Sequence, residues 1–456
     1  MRKLRPYKIS MLIALCLVLV LNFGIVEPLS DWRQGELVVI LPPADSLDQQ
    51  FNQQLAGLFA AHLGVKLKTL ELYPYQVPKA LAKGLAHFSA IGARSNEVDD
   101  DLKFGVPYQA VSEIVVCSGT PPKKYSDLSS RTIVVVTGSA QEAALKAAQI
   151  NDPALSWETT DKSKPNDLLD EVARGEIDCT VANEEQIAIM RNFHPGMVAT
   201  FEIATPSQLT WSFAPEIDEE LFTQMGKFFA QIEEDGTLER LIERYYGHND
   251  RIMPIDAAAF LTKTNTVLPR YRQLFEEAGA LTGIEWQLLA AMAYRESHWN
   301  PLATSYTKVR GMMMLTEDTA DRMNVSNRLD ARESIMAGAR YLQLLKEQLP
   351  VRIVEPERTW LALAAYNQGM GHLEDARMLS QRYGLSPDSW IDVQKAMVKL
   401  RNPAIAKTLK HGYARGGEAV IFVETVRLYH DMLKRISRND YKQLLPQDYQ
   451  TKINAW

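Results

Sequence analysis

The sequence predicts an α/β domain followed by a separate, mainly α-helical domain. From Glu36 to about Tyr246, short apolar segments alternate with amphipathic helical ones, which is typical of βα units around a largely parallel sheet. Past Leu268 the strand signals nearly vanish, and Ala, Leu, Met and Arg dominate as in packed helices. A chain of 456 residues is also too long for one compact core. We therefore expect two or three domains.

The N-terminus has the features of an export signal. MRKLRPYK carries four positive charges, and residues 9–26 are apolar apart from Ser10 and Asn22. This run lies between the length of a cleaved signal and that of a membrane anchor, and no clear small-x-small cleavage site follows it. For residues 1–30 both alternatives stay open, and either one predicts an exported protein.

The α/β domain is expected at residues 33–248. An amphipathic helix is predicted between Leu47 and Leu63, where apolar residues keep helical spacing, and it should pack on the sheet. Six segments predict strands: ELVVIL at 36, VKLKTL at 65, SAIGA at 89, EIVVCS at 113, TIVVVTG at 132 and DCTVA at 178. A connector at 249–267 and a helical domain at 268–456 follow.

Composition excludes several classes of protein. A net charge of -6 lacks the basic excess with which nucleic-acid binders neutralise phosphates, so no nucleic-acid partner is expected. The eight histidines never fall into metal-ligand spacing and no nucleotide-binding loop occurs, so neither a metal nor a cofactor is predicted. Cys117 and Cys179, the one possible pair after the export segment, are interpreted as two buried thiols in strands.

A carboxylate continues an apolar helical stripe in the second domain. In IEWQLLAAMAYRESHWNP, residues 284–301, Ile284, Leu288 and Met292 step by four along one face, and the next step reaches Glu296. Desolvation there would raise the pKa of the carboxyl group and keep it protonated, as a general acid requires. Asn300–Pro301 is expected to stop the helix just beyond. A salt-bridged glutamate at a helix end would give the same pattern.

A second helix, RTWLALAAYNQG, also ends an apolar stripe on a polar residue. Trp360, Leu363, Ala364 and Asn367 share one face, with Gly369 or Gly371 available as the C-terminal stop. Taken alone, this pattern is more often that of a core amide that is satisfied by hydrogen bonds than that of a sugar contact.

Four segments occur in order and together carry a resemblance to a known family: RESHWNP, VRGMMMLT at 309–316, AAYNQGMGHLEDAR at 364–377 and YARGGEAVIFVETVRLY at 413–429. The chain resembles the membrane-bound lytic murein transglycosylase F family, and the likeness reaches back through KFFAQIEEDGTLERLIERYYGH at 227–248. The resemblance implies a two-lobed α/β domain like a periplasmic binding protein, followed by a mainly α, lysozyme-like domain. It also implies a protein at the periplasmic face of the envelope, associated with the outer membrane through its N-terminus or periphery.

The resemblance further implies a lyase that cuts peptidoglycan strands between N-acetylmuramic acid and N-acetylglucosamine. Glu296 would be the single catalytic acid and base, and the product would end in a 1,6-anhydro ring. Ser297 and Asn367 would bind the sugar, Tyr366 would shape the cleft, and Tyr429 would orient Glu296. Gly311, followed by Met312, would let the backbone approach the substrate.

The α/β domain resembles solute-binding proteins that hold amino acids between two lobes, with chain crossovers expected near 113–119 and 203–209. Arg94 is a loose candidate for the ligand carboxylate, and Asn183 stands where an amine-binding Asp would be. A muropeptide or stem peptide is one possible ligand. A purely structural or partner-docking role is the alternative.

Two other functions stay open. A lysozyme-type hydrolase would need a second carboxylate, and the nearest candidates, Glu317, Asp318 and Asp321, are interpreted as dipole partners in the opening turn of the next helix. A non-catalytic receptor would only bind glycan or muropeptide.

The chain also departs from the family. Met314 replaces a common Gln, and Tyr306 and Lys308 replace the usual Pro and Gly, so the loop before Gly311 should differ in shape. His430 is interpreted as a surface residue.

Overall fold

The computed structural model describes residues 29–94, 101–249 and 252–437, and for Arg94 the backbone alone. The predicted export segment lies outside these residues. Within the described ranges, none of the helices combines the length and apolarity that a bilayer crossing demands.

The α/β domain has two lobes, each built on its own strands. In the first lobe the order is β2-β1-β3-β11-β4, with β5 also paired to β11, and in the second it is β10-β6-β9, with β7 paired to β8. The strands are β1 Glu36–Leu41, β2 Lys66–Glu71, β3 Phe88–Arg94, β4 Lys103–Phe104, β5 Gln109–Val111, β6 Glu113–Cys117, β7 Val134–Val136, β8 Glu158–Thr160, β9 Cys179–Asn183, β10 Ala199–Glu202 and β11 Ser207–Phe213.

All six predicted strands are present, but the expectation of a largely parallel sheet is wrong. β1 runs parallel to β2 and β3, and β7 runs parallel to β8, whereas the other pairings are antiparallel. The reason is that the chain passes between lobes twice, at Ser112 and at residues 203–206, and β11 returns to the first sheet in the opposite direction.

Seven helices belong to the α/β domain, one lies in the connector and nine follow it in the described chain. They are α1 Gln49–Leu63, α2 Val77–Ala82, α3 Ala140–Gln149, α4 Pro165–Arg174, α5 Glu184–Arg191, α6 Glu219–Glu234, α7 Thr237–Tyr245, α8 Pro254–Thr266, α9 Arg272–Thr282, α10 Trp286–Ser297, α11 Glu317–Arg322, α12 Ala331–Gln348, α13 Glu357–Gln368, α14 Met370–Arg382, α15 Trp390–Met397, α16 Pro403–Ala406 and α17 Gly416–Ser437. As predicted, α1 buries Phe51, Leu55 and Phe59 against the first sheet.

Cys117 and Cys179 form a disulfide, so their interpretation as free thiols is wrong. They face each other directly across the antiparallel pair β6 and β9, with Cα atoms 4.1 Å apart. This distance is slightly below the range in which disulfides usually form. A strand pattern alone does not fix the register, so the sequence could not reveal this juxtaposition.

The connector helix α8 is part of the second domain's core. Phe260 is fully buried, and its ring centroid lies 4.3 Å from that of Tyr429 and 4.7 Å from that of Tyr294. Residues of α10 and α17 therefore pack directly on a segment that comes before Leu268.

The α/β domain contacts the helical domain through polar groups at its C-terminal end. Arg244 donates to the Glu357 carboxylate at 2.5 Å, and its carbonyl oxygen accepts a 2.7 Å hydrogen bond from Arg427. His248 lies 2.7 Å from Asp431. These bonds join α7 and the segment after it to α13 and α17.

Candidate active site

Glu296 lies in the last turn of α10, which ends one residue later at Ser297. The helix stops because His298 and Trp299 take left-handed backbone conformations, with φ of 52° and 58°. The indole of Trp299 is buried and donates to the Ala290 carbonyl oxygen at 2.8 Å, which anchors this turn. The helix thus ends just beyond Glu296, as expected, but the left-handed residues His298 and Trp299 stop it before Asn300–Pro301 is reached.

The Glu296 carboxyl group is surrounded by protein, although part of the residue's surface stays exposed. Burial raises the pKa of Glu296 to about 8, and the positive charge of Arg295 opposes this rise. Among the described residues, Arg295 is the one charged side chain that shifts this pKa. Glu296 is therefore protonated at neutral pH and partly accessible to solvent.

The loop after α10 is tied to the helix end by Ser297. Its hydroxyl donates to the Met312 carbonyl oxygen at 2.8 Å and lies 3.1 Å from that of Ala293. Met312 has 0% of its surface exposed, so it is buried inside the protein and offers no surface that a substrate could touch.

Gly311 is required for a reason other than the expected one. Its φ is +87°, and a Cβ atom there would lie 1.8 Å from the Arg328 carbonyl oxygen. Gly311 therefore makes room for the protein's own backbone at Arg328, whereas the expectation was that it makes room for a substrate. Sequence reasoning missed Arg328, whose guanidinium donates to the carbonyl oxygens of Lys308 and Leu315, both at 3.1 Å.

Tyr366 and Asn367 lie at the end of α13, which stops at Gly369 as one predicted alternative has it. The Tyr366 hydroxyl donates to the Met313 carbonyl oxygen at 2.9 Å. Burial raises the pKa of Tyr366 well above its usual value, and the nearby Glu296 raises it further. Tyr366 is therefore close to Glu296, while the adjacent Asn367 is exposed to solvent.

The contacts of Tyr429 are made by its aromatic ring, which packs against two other rings. It stacks on Phe260 and meets Tyr294 edge-on, with centroids 4.9 Å apart. Within the described residues no hydrogen bond joins its hydroxyl to Glu296, so an orienting effect on Glu296 would have to act through packing.

The three other acidic candidates lie on α11. Glu317 and Asp318 occupy its first turn, as predicted, and Thr316 caps it by accepting from the Thr319 N–H. Asp321 instead lies near the helix end. All three are exposed, and none of them shifts the pKa of Glu296.

The residues that depart from the family have structural consequences. Lys308 has φ of 65°, a conformation that favours the glycine it replaces, and Tyr306 is fully exposed. His430 is buried and lies 2.7 Å from the Glu285 carboxylate, so its interpretation as a surface residue is wrong. Helical spacing could have indicated this, because His430 follows the buried Val423 and Val426 along α17.

Between the two lobes lies a narrow cavity of about 90 Å³. Asn183 lines it, but its side chain caps α5 by accepting from the Gln186 N–H. Gln186 also donates to Asp48 across the lobes at 2.9 Å. The side chain of Arg94 lies outside the described part of the structure.

The cavity walls carry acidic groups that sequence reasoning missed. Asp48, Glu113 and Glu185 all line it, and burial raises the pKa of Glu185 to about 7 and also that of Asp48. The signal that could have found Glu113 is a charged residue at the start of the apolar segment EIVVC.

Comparisons with known proteins agree with this architecture. The Transglycosylase SLT domain family matches residues 273–387. A membrane-bound lytic murein transglycosylase F from Methylobacillus flagellatus is 42% identical over 426 residues, covering 90% of each chain. A protein of the same name from Nitrosospira multiformis is 45% identical over 416 residues, covering 88% of this chain and 86% of its own.

Solved structures resemble the α/β domain. One is an amino acid ABC transporter substrate-binding protein from Streptococcus pneumoniae bound to L-arginine, with a TM-score of 0.40 and 20% identity, covering 47% of this chain and 96% of that chain. Another is an ancestral arginine-binding protein bound to arginine, with a TM-score of 0.40 and 19% identity, covering 46% of this chain and 98% of that chain.

Proposed function

Because this chain belongs to the membrane-bound lytic murein transglycosylase F family and is a peptidoglycan lytic transglycosylase, we propose that Glu296 performs both proton transfers of the reaction. The observation that carries this proposal is a single enclosed carboxyl group with a pKa of about 8. A group of this pKa gives up a proton in one step and recovers it in the next at neutral pH.

In the first step the protonated Glu296 donates its proton to the glycosidic oxygen between N-acetylmuramic acid and N-acetylglucosamine. The C1–O bond breaks, and the N-acetyl oxygen of the muramoyl residue supports the positive charge that develops at C1. N-acetylglucosamine leaves with a free C4 hydroxyl.

In the second step the ionised Glu296 takes the proton from the C6 hydroxyl of the same muramoyl residue. The C6 oxygen bonds to C1 and closes a 1,6-anhydro ring, so no water is consumed. A hydrolase would instead need a second carboxylate to activate water or to bond C1. Glu317, Asp318 and Asp321 are exposed on α11 and do not affect Glu296 electrostatically, which supports the lyase over the hydrolase.

We further propose that Ser297, Gly311 and Met312 fix the shape of the cleft wall, because each is held by internal contacts. Tyr366 lies beside Glu296 and would contact the muramoyl sugar, and the exposed Asn367 would donate to a sugar oxygen. Tyr429 would hold α10 in place through its ring.

The test is digestion of purified sacculi by the wild type, by Glu296→Gln and by Glu317→Gln, followed by mass analysis of the fragments. Glu317→Gln is the matched control because it makes the same change at an exposed carboxylate in the first turn of α11. We expect anhydro ends, lighter by one water, from the wild type and the control, and no cleavage by folded Glu296→Gln. Reducing ends would favour a hydrolase, retained cleavage by Glu296→Gln would refute its role, and inactive wild type would favour a receptor.

For the α/β domain at residues 33–248 we propose a sensor role, with a stem peptide or muropeptide bound between the lobes through its amino group. Three carboxyl groups line the narrow cavity with one lysine, Lys164, which is paired with Asp45, and this balance favours a cation. Thermal unfolding of the full chain with a stem peptide should show a rise in Tm that is absent with the N-acetylated peptide. If neither peptide changes the Tm, the domain has a structural or docking role.

We also propose that the protein acts at the periplasmic face of the outer membrane, with residues 1–30 as its export segment. The envelope association of the family supports this placement. Fractionation of cell envelopes should recover the chain with outer-membrane markers, and recovery with the inner membrane would refute it.

A further inference from the structure

A cavity of about 410 Å³ lies between the α/β domain and the helical domain, away from the catalytic cleft. The α/β domain contributes Arg244 and His248 to its walls, and the helical domain contributes Trp360, Arg427 and His430. We propose that this cavity is a binding site for a small oxyanion, such as a phosphate ion or the carboxylate of a peptide.

The first observation is a set of buried N–H groups without a protein acceptor. They are the Nε–H of Arg427, the Nε–H of Arg244 and the indole N–H of Trp360, and all three residues line the cavity. Arg427 is only 3% exposed. These groups donate in every protonation state at physiological pH, so the partner that satisfies them must supply oxygen lone pairs.

The donors are also held in place by their neighbours. The terminal nitrogens of Arg427 bond Glu424 and the Arg244 carbonyl oxygen, and a terminal nitrogen of Arg244 bonds Glu357. The Arg427 guanidinium lies 5.4 Å from the centre of the Trp360 ring. Each Nε–H is thus left available on a fixed side chain.

The second observation is that two helices begin at the cavity. Gly283, Ile284 and Glu285 precede α10, and Pro356 and Thr359 lie at the start of α13. Helix N-termini carry partial positive charge, and here two of them face the same space. Both α10 and α13 have 12 residues.

The carboxylates on the cavity walls are already paired. Glu285 lies 2.7 Å from His430 and 3.6 Å from Lys434, Glu355 lies 2.9 Å from Lys346, and Asp431 lies 2.7 Å from His248. The His430 hydrogen bond, together with the positive charge of Lys434, lowers the pKa of Glu285 to about 2, so this group is ionised. An entering anion therefore meets carboxylates that already have hydrogen-bond or ion-pair partners, together with free donors.

The cavity lies at the far ends of the helices that carry the candidate catalytic residues. Glu285 and Glu296 are 11 residues apart along α10, about 16 Å at the helical rise of ~1.5 Å per residue. An anion held by both domains would stabilise their present arrangement, and this inference does not depend on the chemistry proposed for Glu296.

The experiment is calorimetric titration of the full-length protein with inorganic phosphate, with acetate and with D-alanyl-D-alanine at constant ionic strength. Trp360→Phe keeps the aromatic packing and removes one donor, and Arg244→Lys keeps the charge and removes another. Trp286→Phe, on a partly buried indole outside the cavity, is the matched control. Thermal unfolding checks that each variant is folded.

We expect at least one of the three anions to bind the wild type and the control equally, and Trp360→Phe and Arg244→Lys each to weaken it about tenfold or more. Phosphate binding alone would identify a free phosphate as the source, and dipeptide binding would identify a peptide carboxylate. Absence of binding by all three, or binding that both cavity variants leave unchanged, would overturn the proposal and leave a cavity filled by water.

Discussion

The Ser297 hydroxyl donates a 2.8 Å hydrogen bond to the Met312 carbonyl oxygen, which ties the end of α10 to the loop that carries Gly311. Glu296 precedes this serine directly. This hydroxyl group therefore helps to fix the position of the proposed acid relative to the cleft wall, although the resemblance to other transglycosylases implied a sugar contact for it.

Ser297→Ala should impair both stability and catalysis. The change leaves the Met312 carbonyl oxygen without a donor in a buried place, which costs about 1–3 kcal/mol. Urea unfolding should show this loss, and sacculus digestion should show slower release of anhydro fragments. Ser129→Ala, an exposed serine in the second lobe, is the control. Unchanged unfolding for Ser297→Ala would mean that the Met312 contact contributes nothing.

Two glycines with similar φ angles should respond differently to alanine. Gly311 has φ of +87° and a carbonyl oxygen 1.8 Å from the position of a Cβ atom, whereas Gly369 has φ of +90° and no atom within 4 Å. Gly369→Ala should cost only the backbone strain, about 1–3 kcal/mol. Gly311→Ala should cost clearly more by urea unfolding, and equal losses would contradict the clash with Arg328.

The rate of cleavage should fall as the pH rises through about 8. Burial raises the pKa of Glu296 to about 8, so the protonated form that can donate to the glycosidic oxygen disappears above this pH. The measurement is the pH profile of kcat/KM for soluble glycan strands. A profile that starts to fall near pH 4.5, the ordinary value for a glutamic acid, would show that the carboxyl group is solvated.

The same shift predicts how stability depends on pH. A carboxyl group whose pKa is raised on folding stabilises the protein below the unfolded pKa and loses that contribution as pH rises through the folded value. Glu296→Gln should therefore be more stable than the wild type at pH 9, by at least about 1.4 kcal/mol, the equivalent of one pKa unit. Glu317→Gln should show no such gain, and a gain there would point to a general charge effect.

Removal of the disulfide should destabilise the α/β domain. Cys117 and Cys179 are 62 residues apart, and a bond across such a loop typically contributes about 2–4 kcal/mol. The double change to alanine should lower the midpoint of thermal unfolding. A reductant should lower the midpoint of the wild type in the same way, but should not change that of the double variant. If the reductant also lowers the midpoint of the double variant, the effect has another cause.

Periodicity along the chain placed Glu296 on a buried helical face and gave Gly369 as one of two possible ends of α13. The four-residue steps from Ile284 to Met292 point to Glu296, and the glycine after Gln368 ends its helix as expected. Both features depend on residues that are close in sequence, where helical geometry is a reliable guide.

Features that depend on distant residues were missed or misread. The disulfide follows from the register of β6 and β9, the burial of His430 follows from a partner in Glu285, and Gly311 is required by the Arg328 carbonyl oxygen. The strands β4, β5, β8, β10 and β11 also escaped prediction. Each of them has only two to seven residues, and their pairing partners are far away in the chain.

The stacking of Phe260 on Tyr429 changes where the catalytic part of the chain can be cut. A fragment that begins at Leu268 would lack α8 and expose the rings of Tyr294 and Tyr429 to water. An expression boundary placed ahead of Pro254 would keep that helix. We expect the longer fragment to be monomeric and the shorter one to aggregate, which size-exclusion chromatography would reveal.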